Sequence, residues 1–227
     1  MQDLSSKLTR IEQNSEAIIL LHGLKRTRLS MDKAGRVLAC YGYKIVNTGY
    51  PSTQHKVEPM ALHCIGQAVK ECEDAGVSKI HFLTHSLGGI LIRYYLSVEA
   101  IAKLGRVVML APPNRGSEIV DKLGNWRLFY LLNGPAGLQL GTAQDSLPNR
   151  LGTVNFEAGV IAGDKTANPL LSLLFPEAND GKVSVSRTQV EGMRDFIVLP
   201  YSHTFIMRHD QAIQQALHFI QQGRFLK

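Results

Sequence analysis

The residues best placed to do chemistry centre on Ser86, in the run Thr84-His85-Ser86-Leu87-Gly88-Gly89. That run sits between a short apolar segment, residues 79–84, and a helical pattern over 87–98. A serine at a tight strand-to-helix turn projects its hydroxyl from the sheet edge, and small neighbours relieve the crowding. The usual form is Gly-x-Ser-x-Gly, the nucleophile elbow. Here Thr84 replaces the first glycine and Gly88 supplies the second. A serine that merely capped a helix would need neither Gly88 nor Gly89.

A serine hydroxyl is a poor nucleophile until a base takes its proton and an acid orients that base. His203, in Leu199-Pro200-Tyr201-Ser202-His203-Thr204, lies where such a base belongs, between the last strand and the last helix. His209 competes but abuts the final helix, where capping or solvent exposure is expected of it. His85 reads as packing of the elbow; His55, His63, His81 and His218 stand in no motif. For the acid, Asp180 in Asn179-Asp180-Gly181-Lys182-Val183-Ser184 is favoured over Asp164, which directly follows a strand. An Asp-Gly-x-Val turn presents a carboxylate while the valine anchors the loop.

Acyl transfer at such a serine also needs two preorganised N–H donors aimed at the developing oxyanion. One belongs to the residue after the serine, Leu87. The other comes from the loop after an earlier strand, here Leu24 in His22-Gly23-Leu24, with His22 orienting that loop.

Several elements must position these groups. Short aliphatic runs at residues 17–21, 44–47, 79–84, 106–110, 159–162 and 195–199 read as strands. Helical patterns lie over 30–40, 59–75, 87–98 and 210–222, the last with Asp210 as its N-cap. Continuous apolar strands alternating with helices predict an α/β protein with a mostly parallel sheet covered on both faces. Ligands in such sheets bind at the carboxyl ends of the strands, which is where the polar residues above fall. Residues 115–157 break the alternation and contain the only tryptophan, Trp126. This insertion reads as a lid or cap over the site, with a helix packed on the core as the alternative.

A chain of 227 residues, 44% hydrophobic and 19% charged, fits one folded domain and excludes disorder and low complexity. The excess of positive charge, +6, is scattered; its densest cluster, Lys25, Arg26 and Arg28, has no interleaved aromatics, so no nucleic-acid partner is expected. That cluster reads as solvated loop charge, with a site rim that favours anions as the alternative. Cys64 and Cys72, eight apart on one helix, are about 12 Å apart along its axis, too far for a disulfide. With Cys40 they read as three buried thiols. The opening residues lack the apolar core of a signal peptide and no run is long enough to span a membrane, so a cytoplasmic location is expected.

The elbow after its strand, His22-Gly23-Leu24, Asp180-Gly181-Lys182-Val183 and Tyr201-Ser202-His203-Thr204-Phe205 together resemble the α/β-hydrolases of lipase and esterase type. The chain order Ser, Asp, His is that of the same superfamily. The sequence is most similar to bacterial lipase-like serine esterases related to triacylglycerol lipases and glycosylphosphatidylinositol-anchor deacylases. The similarity covers residues 17–219; Thr84 is a tolerated departure.

The resemblance implies a compact α/β-hydrolase fold over 1–227, with about six strands and a small cap. It implies that Ser86, Asp180 and His203 are nucleophile, acid and base, with Leu24 and Leu87 as oxyanion donors. The implied reaction is cleavage of a carboxylic ester through an acyl-enzyme, without metal or organic cofactor, on a small-molecule ester or lipid, with contact to a lipid surface as a further expectation. Acyl transfer with the same three residues, a non-catalytic binding module, and a metal site from His203, His209 and Asp210 are the alternatives. Oligomeric state is not legible.

Overall fold

The computed structural model describes residues 15–166, 175 and 177–227. Residues 1–14, which carry most of the segment judged above for a leader, lie outside the described residues. Six strands form one sheet: β1 (Glu16–Leu21), β2 (Lys44–Thr48), β3 (Lys79–His85), β4 (Leu104–Leu110), β5 (Ala158–Gly163) and β6 (Asp195–Leu199). Their order is β2-β1-β3-β4-β5-β6 and every neighbouring pair is parallel. Among the described residues there are eight α-helices. They are α1 (Asp32–Ala39), α2 (Val57–Asp74), α3 (Leu87–Val98), α4 (Glu118–Leu123), α5 (Arg127–Leu138), α6 (Leu147–Arg150), α7 (Val185–Thr188) and α8 (Asp210–Gln222).

Side chains alternate along each strand, so both faces of the sheet are apolar. Ala17, Ile19, Leu21, Phe82 and Met109 join the core layer that contains α2 and α3. Ile18, Leu20, Leu83, Leu110 and Ile161 join the other, with Leu38 of α1 and Ile213, Ala216 and Ile220 of α8. Burial of each large side chain contributes roughly 1.5–3 kcal/mol. Helices on both faces explain why the strands read as unbroken apolar runs. The two expected rows of α2 (Met60, Cys64, Ala68 and Cys72; Ala61, Ile65 and Val69) are all buried.

Four local expectations need correction. Cys40 is exposed, because it stands at the C-terminal cap of α1 beyond the buried stripe. The segment expected to be one helix from residue 30 begins as a 3-10 turn, Arg28–Met31, before α1. Asp210 is the first residue of α8 rather than its cap, and its carboxylate pairs with Lys33 at 2.8 Å. Strand β4 also starts earlier than the apolar run does. His81 Nδ1 accepts the Arg106 N–H at 2.8 Å, beside the irregularity in register between Ile80 and Phe82.

The insertion forms α4, α5 and α6. Helix α5 is kinked at Gly134, which is followed by Pro135. Phe129 and Asn133 of α5 line the pocket around Ser86, whereas Trp126, Leu128, Tyr130, Leu131 and Leu132 are exposed. A buried cation ties the insertion to α3. Arg93 of α3 donates to the carbonyls of Asn114, Pro148 and Gly152 and to Asn114 Oδ1. Burial lowers its guanidinium pKa to about 10. Among the described residues no helix is long and apolar enough to cross a membrane.

Candidate active site

Strand β3 ends at His85 and α3 begins at Leu87, so Ser86 alone makes the turn between them. Its backbone is forced to φ 51° and ψ −116°, a strained conformation for a residue with a side chain. The turn is held from both sides: Ser86 N–H donates to Leu110 O, and Gly89 N–H to Ser86 O. Close approach explains the glycines. A β-carbon on Gly88 would lie 2.7 Å from Leu21 O, and one on Gly23 would lie 2.7 Å from His85 Nδ1. Position 84 has no such conflict; Thr84 is fully buried and donates its hydroxyl to Val108 O at 3.4 Å. Threonine therefore fits where the Gly-x-Ser-x-Gly pattern has its first glycine.

Ser86 Oγ lies 2.9 Å from His203 Nε2, and His203 Nδ1 lies 2.7 Å from Asp180 Oδ2. All three residues are buried, Asp180 almost completely. The carboxylate is fixed by its own turn, Oδ1 accepting the N–H groups of Lys182 and Val183, each at 2.9 Å. His203 N–H donates to Asp180 O at 3.0 Å, which locks the two loops together. In the tautomer that donates from Nδ1 to Asp180, Nε2 is the nitrogen that accepts the serine hydroxyl. A hydroxyl, imidazole and carboxylate so linked can move a proton from oxygen to nitrogen while the oxygen attacks.

His85 does more than pack the elbow. Its Nε2–H donates to His203 O at 2.9 Å, and its ring lies 5.1 Å from the His203 ring. Burial first, then the neighbouring His203, holds its pKa well below the usual 6.5, so it stays neutral. Asp164 is not brought to His203; it lies 3.9 Å from Lys165 Nζ. His209 stacks on Tyr201 at 3.7 Å and makes no side-chain cap. With Asp210 paired to Lys33, the alternative metal set does not converge, and no group of three metal-ligating side chains occurs among the described residues.

The loop after β1 is built around His22. Its Nδ1–H donates to Gly23 O at 2.9 Å, its Nε2 accepts the Tyr50 N–H at 3.4 Å, and its ring stacks on Tyr50. The Tyr50 hydroxyl donates to His22 O. Burial lowers the pKa of His22 and raises that of Tyr50, so this pair is neutral. Lys25 continues the loop at φ 58°, with its N–H donating to Ser52 Oγ at 3.1 Å. Among the described residues, neither Leu24 N–H nor Leu87 N–H donates to a backbone carbonyl. Leu87 sits at the start of α3, where N–H groups lack helical partners.

A pocket of about 680 Å³, counting its open mouth, reaches from Ser86 and His203 to the insertion. Ile119, Val120, Phe129 and Leu140 supply apolar lining; Lys25, Arg26 and Lys182 also line it. Arg28 does not. Nothing in the sequence marks Lys182 or His85 as a pocket group, since one is a turn residue and the other merely adjoins Ser86. Only the fold brings them beside His203.

No protein-family model matches the sequence, and no curated protein is significantly similar to it. Solved structures do resemble it. The mature lipase BlEst2 of Bacillus licheniformis superposes with a TM-score of 0.68 at 16% identity, over 93% of each chain. Phospholipase PlaB of Legionella pneumophila gives 0.71 at 21% identity over 85% of this chain, which spans about half of PlaB. The metagenomic carboxyl esterase MGS0156 gives 0.63 at 19% identity, covering 84% of this chain and 65% of the other. At these identities the likeness is one of fold, and this chain, with its single parallel sheet covered by helices, has the α/β-hydrolase fold.

Proposed function

We propose that the protein is a serine hydrolase that cleaves carboxylic esters through an acyl-enzyme intermediate. The observation that carries this reading is the hydrogen-bonded series Ser86, His203, Asp180 at the base of a pocket. In the proposed reaction His203 Nε2 takes the Ser86 proton as Oγ attacks the acyl carbon. Leu24 and Leu87 N–H groups stabilise the oxyanion, and Asp180 orients and supports the imidazolium. His203 then returns the proton to the departing alkoxide. A water deprotonated by His203 releases the acid and regenerates Ser86. Neither metal nor organic cofactor enters these steps.

The insertion supports an acyl substrate, since α4 and α5 contribute Ile119, Val120 and Phe129 to the pocket. Contact with a lipid surface belongs to the same proposal. The helix that lines the pocket with Phe129 turns Leu128 and Leu131 to solvent, and Trp126 at its N-cap is exposed beside them. Intact protein should react with a fluorophosphonate probe at Ser86, and Ser86→Ala should abolish both labelling and ester cleavage. Unlabelled wild type, or labelling that survives the substitution, overturns the proposal.

A further inference from the structure

Among the described residues, the charged side chains lining the pocket around Ser86 are all cationic. Lys25 and Arg26 directly follow Leu24, and Lys182 stands two residues past Asp180; all three line the pocket, and among the described residues neither aspartate nor glutamate lines it. Among the described residues none of the three takes part in an ion pair. Asp180, whose charge reaches Lys182, has both oxygens engaged, by its own turn and by His203. Arg26 makes one long bond, 3.5 Å from Nη2 to Thr204 O.

Like charges gathered without counter-ions raise one another's cost. The Lys182 ammonium feels this even with Asp180 nearby: desolvation first, then Arg26, lower its pKa, Asp180 opposes them, and Lys25 adds a smaller lowering. An anion placed among the three relieves all of them together. The division of the lining is consistent: the loops that hold Leu24 and Asp180 supply the cations, and the insertion supplies apolar side chains.

We propose that Lys25, Arg26 and Lys182 form an anion subsite of the ester-cleaving pocket, so that the favoured substrate joins an apolar chain to a carboxylate or phosphate group near the scissile ester. This rests on the hydrolase reading above. Charge-assisted hydrogen bonds from lysine and arginine are the interactions such groups accept.

Matched ester pairs test the proposal and separate the sources of the charge. An aryl hemiglutarate against its methyl ester places a carboxylate on the acyl side. A short-chain monoacylglycerol phosphate against the monoacylglycerol places a phosphate on the alcohol side. Wild type should favour the anionic member of at least one pair by about 10- to 100-fold in kcat/KM, and high salt should erode that preference. Arg26→Gln and Lys182→Gln should each reduce the preference by roughly 3- to 10-fold, while Lys182→Arg retains it. Arg28→Gln removes a charge from the same stretch of sequence but outside the pocket, and should not change the preference. No preference in wild type, or one that Arg28→Gln lowers as much as Arg26→Gln, overturns the subsite. Fluorophosphonate labelling separates the two failures. Labelled Ser86 with no charge preference sinks the subsite alone; unlabelled Ser86 sinks the hydrolase reading and the subsite with it.

Discussion

Asp180 accepts at both oxygens, from the Lys182 and Val183 N–H groups at Oδ1 and from His203 at Oδ2. Asp180→Asn keeps the shape but reverses the proton. Its carbonyl oxygen stays with the two backbone donors, so the amide N–H₂ faces His203 Nδ1. The imidazole must then accept there and carry its proton on Nε2, facing Ser86, where it cannot act as a base. Steady-state kinetics on a soluble ester should show kcat reduced by about 10³- to 10⁴-fold with little change in melting temperature. Asp164→Asn should stay within about twofold of wild type; a larger loss there would move the acid to Asp164. At this scale local chemistry was legible because it is written in short runs: a serine between strand and helix, and an Asp-Gly turn. What stayed hidden depends on distance in sequence. Nothing near Lys182 announces that it shares a pocket wall with Lys25 and Arg26, and His85 shows its bond to the His203 carbonyl only once two loops have met.

Among the elements, α5 resisted sequence reading most. The stretch around Trp126 to Leu132 carries one charged residue, Arg127, amid apolar and aromatic ones on every side, so periodicity does not mark which side turns inward. In the structure Phe129 and Asn133, one turn apart, line the pocket, while Leu131 is 77% and Trp126 63% exposed. A solvent-facing apolar row on the helix that walls the pocket fits the proposed contact with aggregated lipid, since each such side chain gains up to roughly 1.5–3 kcal/mol on leaving water. A Trp126→Ser, Leu131→Ser double variant should lower turnover of emulsified long-chain esters about 3- to 10-fold. Dissolved short-chain esters should change by less than about twofold. Equal losses on both substrates would place these residues in the support of the site instead. The helices that bury a clean stripe were easier. Rows four residues apart in α2 mark its inward side in the sequence as clearly as in the structure. Arg93 was not legible, because its partners are carbonyls of Asn114, Pro148 and Gly152, and a carbonyl leaves no trace in residue type.

For the molecule as a whole, sheet class followed from sequence because strands covered on both faces must be apolar throughout. The order β2-β1-β3-β4-β5-β6 did not, since adjacency is decided by how each crossover packs. Folding also gathers a set of buried histidines that no single motif reveals. His22, His81 and His85 are each almost wholly buried, and burial is the largest cause lowering each pKa below the usual 6.5. Each has a reason to keep one nitrogen bare. His22 Nε2 accepts the Tyr50 N–H, His81 Nδ1 accepts the Arg106 N–H, and His85 Nδ1 is buried with no donor among the described residues. Above pH 7 these groups are neutral both folded and unfolded, so they leave stability independent of pH. As pH falls through 6.5 the unfolded chain takes up protons that the folded chain refuses, and stability falls. Three such groups give a slope of at most about 4 kcal/mol per pH unit, reduced at His81 by the opposing charge of Glu16. Urea unfolding between pH 8 and pH 5 should show a constant midpoint down to about 6.5 and a steep fall below it, with the slope smaller in His81→Gln. A midpoint that rises on acidification would mean that these imidazoles are charged in the folded protein, and their place in its core would have to be redrawn.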